Sequence, residues 1–580
     1  MKIHVIISLI VLAAFINIFS FCKKTNSNSP VPPIVPDTTV VIQPAIDPPN
    51  AATIGFFLDD WQPKNFVTPS YIDTAIPSIA NYTVTVDRSS VITKIPRSVF
   101  GNNANIWMTQ MVTEPTLLSH ISNIHPHIIR FPGGSLSDVY FWNAPDATPP
   151  ADAPASLVQS NGTSTTAGYW YGKNNANWTI SLDNYYNMLQ QTGNQGLITI
   201  NYGYARYGKS SNPVATAAHL AADWVRYDNG RTKYWEIGNE NFGDWEAGYR
   251  INLSANMDGQ PEILTGQLYG QHFKVFADSM RNAAQEIGKT IYIGAVTAEA
   301  QPQSWETSTR RNWNTGLLGA VSNSPDYYVV HNYYTPYNTN SNAADILNSA
   351  AVETKKMIDY VPQALQSSGA TLKPFALDEW NIFATGSMQM VSNINGLHAD
   401  LVLGELLKNK FGMSARWDFA NGWDNGNDHA MFNIGDEPGA VPKWNPRPAF
   451  YHIYFFQKFL GDRLVSSSIQ NTTDIVTYAS SYTSGEVGIT LLNKSTDAKT
   501  VEVKIQNFRK GDRFYWYTLT GGNDNGEFSR KVFVNERGSD YISGGPSNYA
   551  SIKAYSSLAV NGIRVTVPAR AVVFMAIDKK

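Results

Sequence analysis

Two short segments carry residues from which chemistry could be built. Tyr234-Trp235-Glu236-Ile237-Gly238-Asn239-Glu240 and Phe375-Ala376-Leu377-Asp378-Glu379-Trp380-Asn381 each read as a brief strand that ends in a carboxylate. Two opposed carboxyl groups are sufficient apparatus for breaking a glycosidic bond. One protonates the departing oxygen, and the other attacks the carbon or activates water. Glu240 and Glu379 lie far apart in the chain, so a fold must bring them to one place.

The pattern around them predicts such a fold. From about residue 96, β-rich runs alternate with helical ones, with strands expected near 99–106, 128–131, 197–201, 234–238, 291–295, 327–331, 375–379 and 415–419. Amphipathic helices are predicted between them, over 216–227, 266–287, 342–367, 397–408 and 447–460. Eight strands with interleaved helices over 96–460 suit an α/β fold of the (β/α)8 TIM-barrel type, in which catalytic groups sit at the C-terminal strand ends. Glu240 would then end strand four and Glu379 strand seven, facing each other across the mouth. An open doubly wound sheet is the alternative, but no Gly-x-Gly-x-x-Gly opens a helix after the first strand. Beyond 460 the helical period gives way to alternation over 475–478, 487–492, 500–505, 514–519, 563–567 and 571–577. This predicts a C-terminal antiparallel β-sandwich over 461–580, to which the alternating segment 82–95 would contribute a strand.

Composition narrows the partners. Of 580 residues, 43% are apolar and 16% charged, with a net charge of −3, which excludes a disordered acidic tail and leaves no basic face for nucleic acid. Aromatic residues reach 12%, a bias that suits surfaces stacking against sugar rings. Residues 1–21 read as an export signal, with Lys2 before an apolar run too short to span a bilayer. Cys22 is the only cysteine, and the prefix resembles a bacterial lipoprotein signal, which implies lipidation at Cys22 and anchoring in the cell envelope, at the outer membrane. A simple signal peptide cut upstream or a short uncleaved anchor are the other readings. The Pro- and Ser-rich stretch 22–50 reads as a tether, and 51–81 is an extension whose structure the pattern leaves open.

Four segments together carry a resemblance. Arg130-Phe131-Pro132-Gly133-Gly134 with Tyr140 and Trp142, Trp235 to Glu240, His331-Asn332-Tyr333, and Asp378-Glu379-Trp380-Asn381 are similar to the clan A glycoside hydrolases, and most to the α-L-arabinofuranosidases of family 51. The resemblance implies a retaining mechanism with Glu240 as general acid/base and Glu379 as nucleophile, a carbohydrate substrate, and no metal or organic cofactor. It further implies that Asn239 holds the hydroxyl beside the reacting carbon, that His331 and Tyr333 fix the carboxylates, and that Arg130 supports the nucleophile. The family pattern breaks at two places. Asn105 stands where those enzymes carry a glutamate after the first strand, and Ser135 where they carry asparagine. Both positions touch the sugar in the family, so an endo-β-glycanase remains beside the arabinofuranosidase reading. A non-catalytic carbohydrate-binding lipoprotein or a structural surface protein would have no need for opposed carboxylates.

Other residues have plainer readings. Alternation puts Glu236 on the face of Glu240 but deeper, where an ion pair with Arg130 is expected, and puts Asp378 on the face opposite Glu379. The histidines lack His-Glu-x-x-His, so no zinc site is expected, and His331 could equally be a satisfied core histidine. Asp424, Asn425, Asn427 and Asp428 read as a solvated turn rather than a calcium loop. Trp142, Trp170, Trp178, Trp245, Trp380, Trp417 and Trp423 fall near strand-to-helix loops, and Trp380 and Trp417 are the best placed for stacking a sugar.

Overall fold

The computed structural model describes residues 42–580, so the signal 1–21, Cys22 and the tether up to 41 lie outside the described residues. Eight parallel strands form a closed barrel: Gly101–Asn103, Ile128–Phe131, Gln195–Ile200, Tyr234–Ile237, Tyr292–Val296, Tyr327–Asn332, Phe375–Trp380 and Met413–Arg416. The eighth pairs with the first and closes the ring. The first strand is shorter than the alternation implied because Arg97–Phe100 winds into a 3-10 turn before it.

Helices follow every strand, and local chemistry starts them. Gly266–Glu286 begins behind Thr265, whose hydroxyl accepts the Leu268 N–H, and Ala343–Ser367 begins behind Asn342, whose carbonyl oxygen accepts from Asp345. Along Gly266–Glu286 the buried residues Tyr269, Phe273, Phe276 and Met280 recur at helical spacing and form the stripe that faces the barrel.

Residues after 460 supply nine strands of an 11-stranded sheet. It is mixed rather than antiparallel as expected. Tyr82–Lys94 runs antiparallel to Arg463–Ile469 but parallel to Lys499–Gln506, and Tyr71–Asp73 runs parallel to Ala554–Leu558. Both parallel strands come from the segment before the barrel, so no hairpin dictates their direction. Val84, Val86, Ile489, Leu491, Val501, Val565 and Met575 share one core inside this sheet. Its other face receives the helix Pro448–Phe459, with Phe455 against Tyr517 at 4.8 Å and Phe456 edge-on to Phe574 at 6.2 Å between ring centroids.

The extension 51–81 has a definite structure. Ile54 and Phe57 are buried with Ile128, Leu197, Tyr327, Val329 and Met413, closing the N-terminal end of the barrel. Phe56 stacks on Tyr292 at 3.8 Å. The chain then crosses to the sheet, where Lys64 Nζ donates to the carbonyls of Gln457 and Leu460. Further upstream, Asp47 pairs with Arg463 and Lys94, so the last residues of the tether lie against the sheet. No helix among the described residues is long and apolar enough to cross a membrane.

Candidate active site

Arg130, at the end of the second strand, is fully buried and organises the barrel's C-terminal mouth. Its Nε donates to Glu236 (2.9 Å), its Nη1 to Asn103 (3.0 Å) and Glu379 (2.9 Å), and its Nη2 to the Asn239 side-chain oxygen (2.8 Å). The planar fork thus joins the ends of strands one, two, four and seven. Tyr333 donates its phenolic hydrogen to the other Glu379 oxygen at 2.7 Å. Burial, followed by the Glu379 charge, holds that phenol well above its usual range, so it remains a donor.

Glu240 lies at a different kind of position. Strand four ends at Ile237, and Gly238 turns the chain at φ 78°, where a Cβ would strike the Asn241 side chain at 1.9 Å. Glu240 itself takes φ 42°, an uncommon conformation for a residue with a side chain, and its carboxyl turns toward the mouth. Trp245 Nε1 donates to one Glu240 oxygen at 3.2 Å, and His331 Nδ1 lies 2.9 Å from the other. An oxygen of Glu240, an oxygen of Glu379 and a ring nitrogen of His331 all lie within 4.8 Å of one another.

His331 sits among four carboxyl groups. Its Nε2 is 3.2 Å from Asp378 and 3.7 Å from Glu236, and its Nδ1 is 3.8 Å from Glu379 besides its contact with Glu240. Burial opposes a charge on the ring, but Glu379, Asp378, Glu236 and Glu240 together raise it well above the ordinary histidine range. These contacts favour the imidazolium form. Burial would lift Glu240, but the His331 hydrogen bond and charge bring its carboxyl below the ordinary value. Burial and the Glu236 charge push Asp378 up to about 6. His331 is thus no ordinary core histidine: carboxyls face both ring nitrogens, and Nδ1 is placed to share a proton with Glu240.

Three expectations are corrected. Asp378 does not face away from Glu379: the ladder shifts register between Val330 and His331 and between Leu377 and Trp380, and this irregularity lets both acids reach the barrel interior. Trp380 cannot stack a sugar, because it is only 1% exposed and packs edge-on to Tyr334 in the core. Asp428 does not belong to a solvated turn, since it is buried in an ion pair with Arg447, which also bonds Glu437. Trp417, by contrast, is half-buried and lies over the Pro132-Gly133-Gly134 turn, where a Cβ on Gly134 would meet its ring at 2.7 Å. Trp142 is buried, whereas Trp178 and Trp245 are exposed.

The mouth also contains residues that the sequence reading passed over. Asn103 holds Arg130 from strand one, and its alternation on a short polar strand was the available signal. Glu246, in the loop after strand four, accepts from Ser135 and Asn239. Nothing in its spacing marked it. By spacing alone, Glu236, His331 and Asp378, or Glu240, His331 and Glu379, could each offer three donors to a metal ion. The Arg130 guanidinium, however, already supplies positive charge to Glu236 and Glu379.

No protein-family model and no curated protein sequence matches the chain. Solved structures do. An α-L-arabinofuranosidase from Thermotoga maritima in an arabinose complex aligns over 86% of this chain and 99% of its own, at 17% identity and a TM-score of 0.56. A family 51 α-L-arabinofuranosidase from Bifidobacterium longum aligns over 86% and 99% at 14% identity and a TM-score of 0.58. A Paenibacillus polymyxa xyloglucanase of glycoside hydrolase family 44 aligns over 86% and 99% at 11% identity and a TM-score of 0.54. At these identities the likeness establishes a shared barrel-and-sheet fold.

Proposed function

We propose that the chain is a retaining glycoside hydrolase that cleaves plant-type polysaccharide or its fragments, with an α-L-arabinofuranosidase-like specificity, and that it is exported and held in the cell envelope by a lipid on Cys22. The observation that carries the catalytic reading is the approach of Glu240 and Glu379 to within 4.8 Å. Retaining enzymes hold their carboxyls about 5 to 5.5 Å apart, whereas inverting enzymes need about 6.5 to 9.5 Å for an intervening water. Folds of this kind host many activities, so the site and not the likeness bears the weight.

In this reading Glu379, paired with Arg130 and oriented by Tyr333, attacks the anomeric carbon and forms a glycosyl ester as the bond to the leaving oxygen breaks. That oxygen takes one proton from the Glu240–His331 pair through Glu240. In the second half Glu240 removes a proton from water, the resulting hydroxide attacks the same carbon, the ester to Glu379 breaks, and the pair regains its proton. Asn239, fixed by Arg130, faces the sugar hydroxyl next to the reacting carbon, and Trp417 offers an aromatic face beside it.

An endo-β-glycanase is the second reading, and one observation favours it. Trp245, Trp305 and Tyr337, on the loops after strands four, five and six, are 60%, 81% and 82% exposed, a distribution suited to a polymer lying across the mouth. A hydrolysis screen of aryl α-L-arabinofuranoside, β-D-xyloside and β-D-glucoside beside arabinoxylan and β-glucan tests both. Turnover of the first with release of arabinose supports the leading reading, and shortening of a polymer backbone supports the second. No turnover of any glycoside or polysaccharide overturns both.

A further inference from the structure

Glu246 is the buried acid of the mouth that the mechanism above leaves without a task. It is 4% exposed. One of its oxygens, Oε1, accepts the Ser135 hydroxyl at 2.7 Å and the Asn239 amide at 3.0 Å. The other, Oε2, is buried and has no hydrogen-bond partner among the described residues. No ion pair among the described residues neutralises it, and the charged groups acting on it are the carboxyls of Asp138 and Glu240. Burial and then those two charges raise its proton affinity well above that of an ordinary carboxylate, which favours the form that carries an O–H.

Its neighbours give this donor a direction. Asn239 is fixed at both ends, its oxygen by Arg130 and one amide hydrogen by Glu246, which leaves the second amide hydrogen for a ligand. Ser135, the residue that departs from the family pattern, is exposed at the mouth and anchors Glu246 from the opposite side. The other departure, Asn105, is fully buried and donates to Asp418 and to the Ala420 carbonyl, away from Arg130 and the catalytic pair. Strand one therefore brings no carboxyl to the sugar, while the loop after strand four brings one beside Asn239.

Resting on the glycosidase reading, we infer that Glu246 is a substrate-holding, specificity-determining residue: its free oxygen and the free Asn239 amide hydrogen together grip the hydroxyl on the carbon next to the reacting one. A buried polar site of this kind discriminates strongly against a sugar lacking that hydroxyl, because its own groups are then left unpaired.

The test compares the aryl glycoside that the wild-type protein cleaves fastest with its 2-deoxy counterpart, for wild type, Glu246→Ala, Glu246→Gln and Ser135→Ala. Glu246→Ala should lower kcat/KM on the parent sugar by about 10- to 100-fold, the usual range for a hydrogen bond to a polar substrate group. On the 2-deoxy sugar the same change should cost less than about 3-fold, the coupling expected of direct partners. Glu246→Gln, which retains a donor at the same place, should keep most of the parent activity, and the exposed Ser135→Ala should show a weaker loss with the same preference for the parent sugar. Equal losses on both sugars for Glu246→Ala and Ser135→Ala, or no loss, would overturn the assignment. If Glu246→Ala fails to fold, the Ser135→Ala and Glu246→Gln comparisons decide it. Absence of wild-type turnover would instead remove the glycosidase reading on which it rests.

Discussion

His331 shows how much one side chain decides in this mouth. With Asp378 and Glu236 at one nitrogen and Glu240 and Glu379 at the other, its cationic form is favoured despite burial, and its Nδ1 is placed to share a proton with Glu240. The sign of its pH effect follows. The pair keeps the proton needed by the leaving group until pH rises through the raised histidine value, so activity should persist into the alkaline range. In His331→Asn that reservoir is gone and Glu240 must hold the proton alone. The basic limb of the kcat/KM profile should therefore move to lower pH. A limb that stays or moves up would mean that Glu240 carries its own proton independently of the ring. Arg130 is less open to such a test, since its removal would leave Glu236 and Glu379 buried without a counter-charge and destabilise the whole barrel.

At the scale of elements, the barrel strands and their helices were legible because a fully buried parallel strand and an amphipathic helix leave different periods in the sequence. The carboxylates at the ends of strands four and seven followed from that register. Asp378 did not, because a register shift at strand seven breaks strict alternation, and no residue type announces it. Trp380 was misplaced for a related reason: it is the last residue of its strand, and sequence position alone does not say that it is buried in the core. Glu246 was invisible because its role arises from contacts with Ser135 and Asn239, distant in sequence or in a different loop. The extension before the sheet was equally silent. Its aromatic pair Phe56-Phe57 closes the barrel floor, and Phe57 is 1% exposed. Phe57→Ala should therefore cost about 3 to 5 kcal/mol, the range for truncating a buried phenylalanine. Denaturant unfolding checks this, and a loss below about 1 kcal/mol would show that the barrel closes without the plug.

The whole molecule is a barrel welded to a sheet. The helix Pro448–Phe459 packs its rings on the sheet, the strand Tyr82–Lys94 enters the sheet before the barrel begins, and Arg530, in a loop between two strands of the sheet, reaches Glu437 beside the loops after strand eight. The same chain that floors the barrel runs on past the sheet as residues 42–50, with Asp47 bonded to Arg463. If Cys22 bears the lipid, Cys22→Ala should transfer the protein from the envelope fraction to the soluble one without changing its turnover. Retention in the envelope would contradict that anchor.

The central claim is that Glu379 attacks and Glu240 delivers the proton, and the anomeric configuration of the azide product tests it most directly. With an aryl glycoside bearing a good leaving group, Glu240→Ala should accumulate the glycosyl ester on Glu379, and added azide should release a glycosyl azide of the same configuration as the substrate. An azide of inverted configuration from Glu240→Ala, or normal hydrolysis without any azide product, would contradict the account.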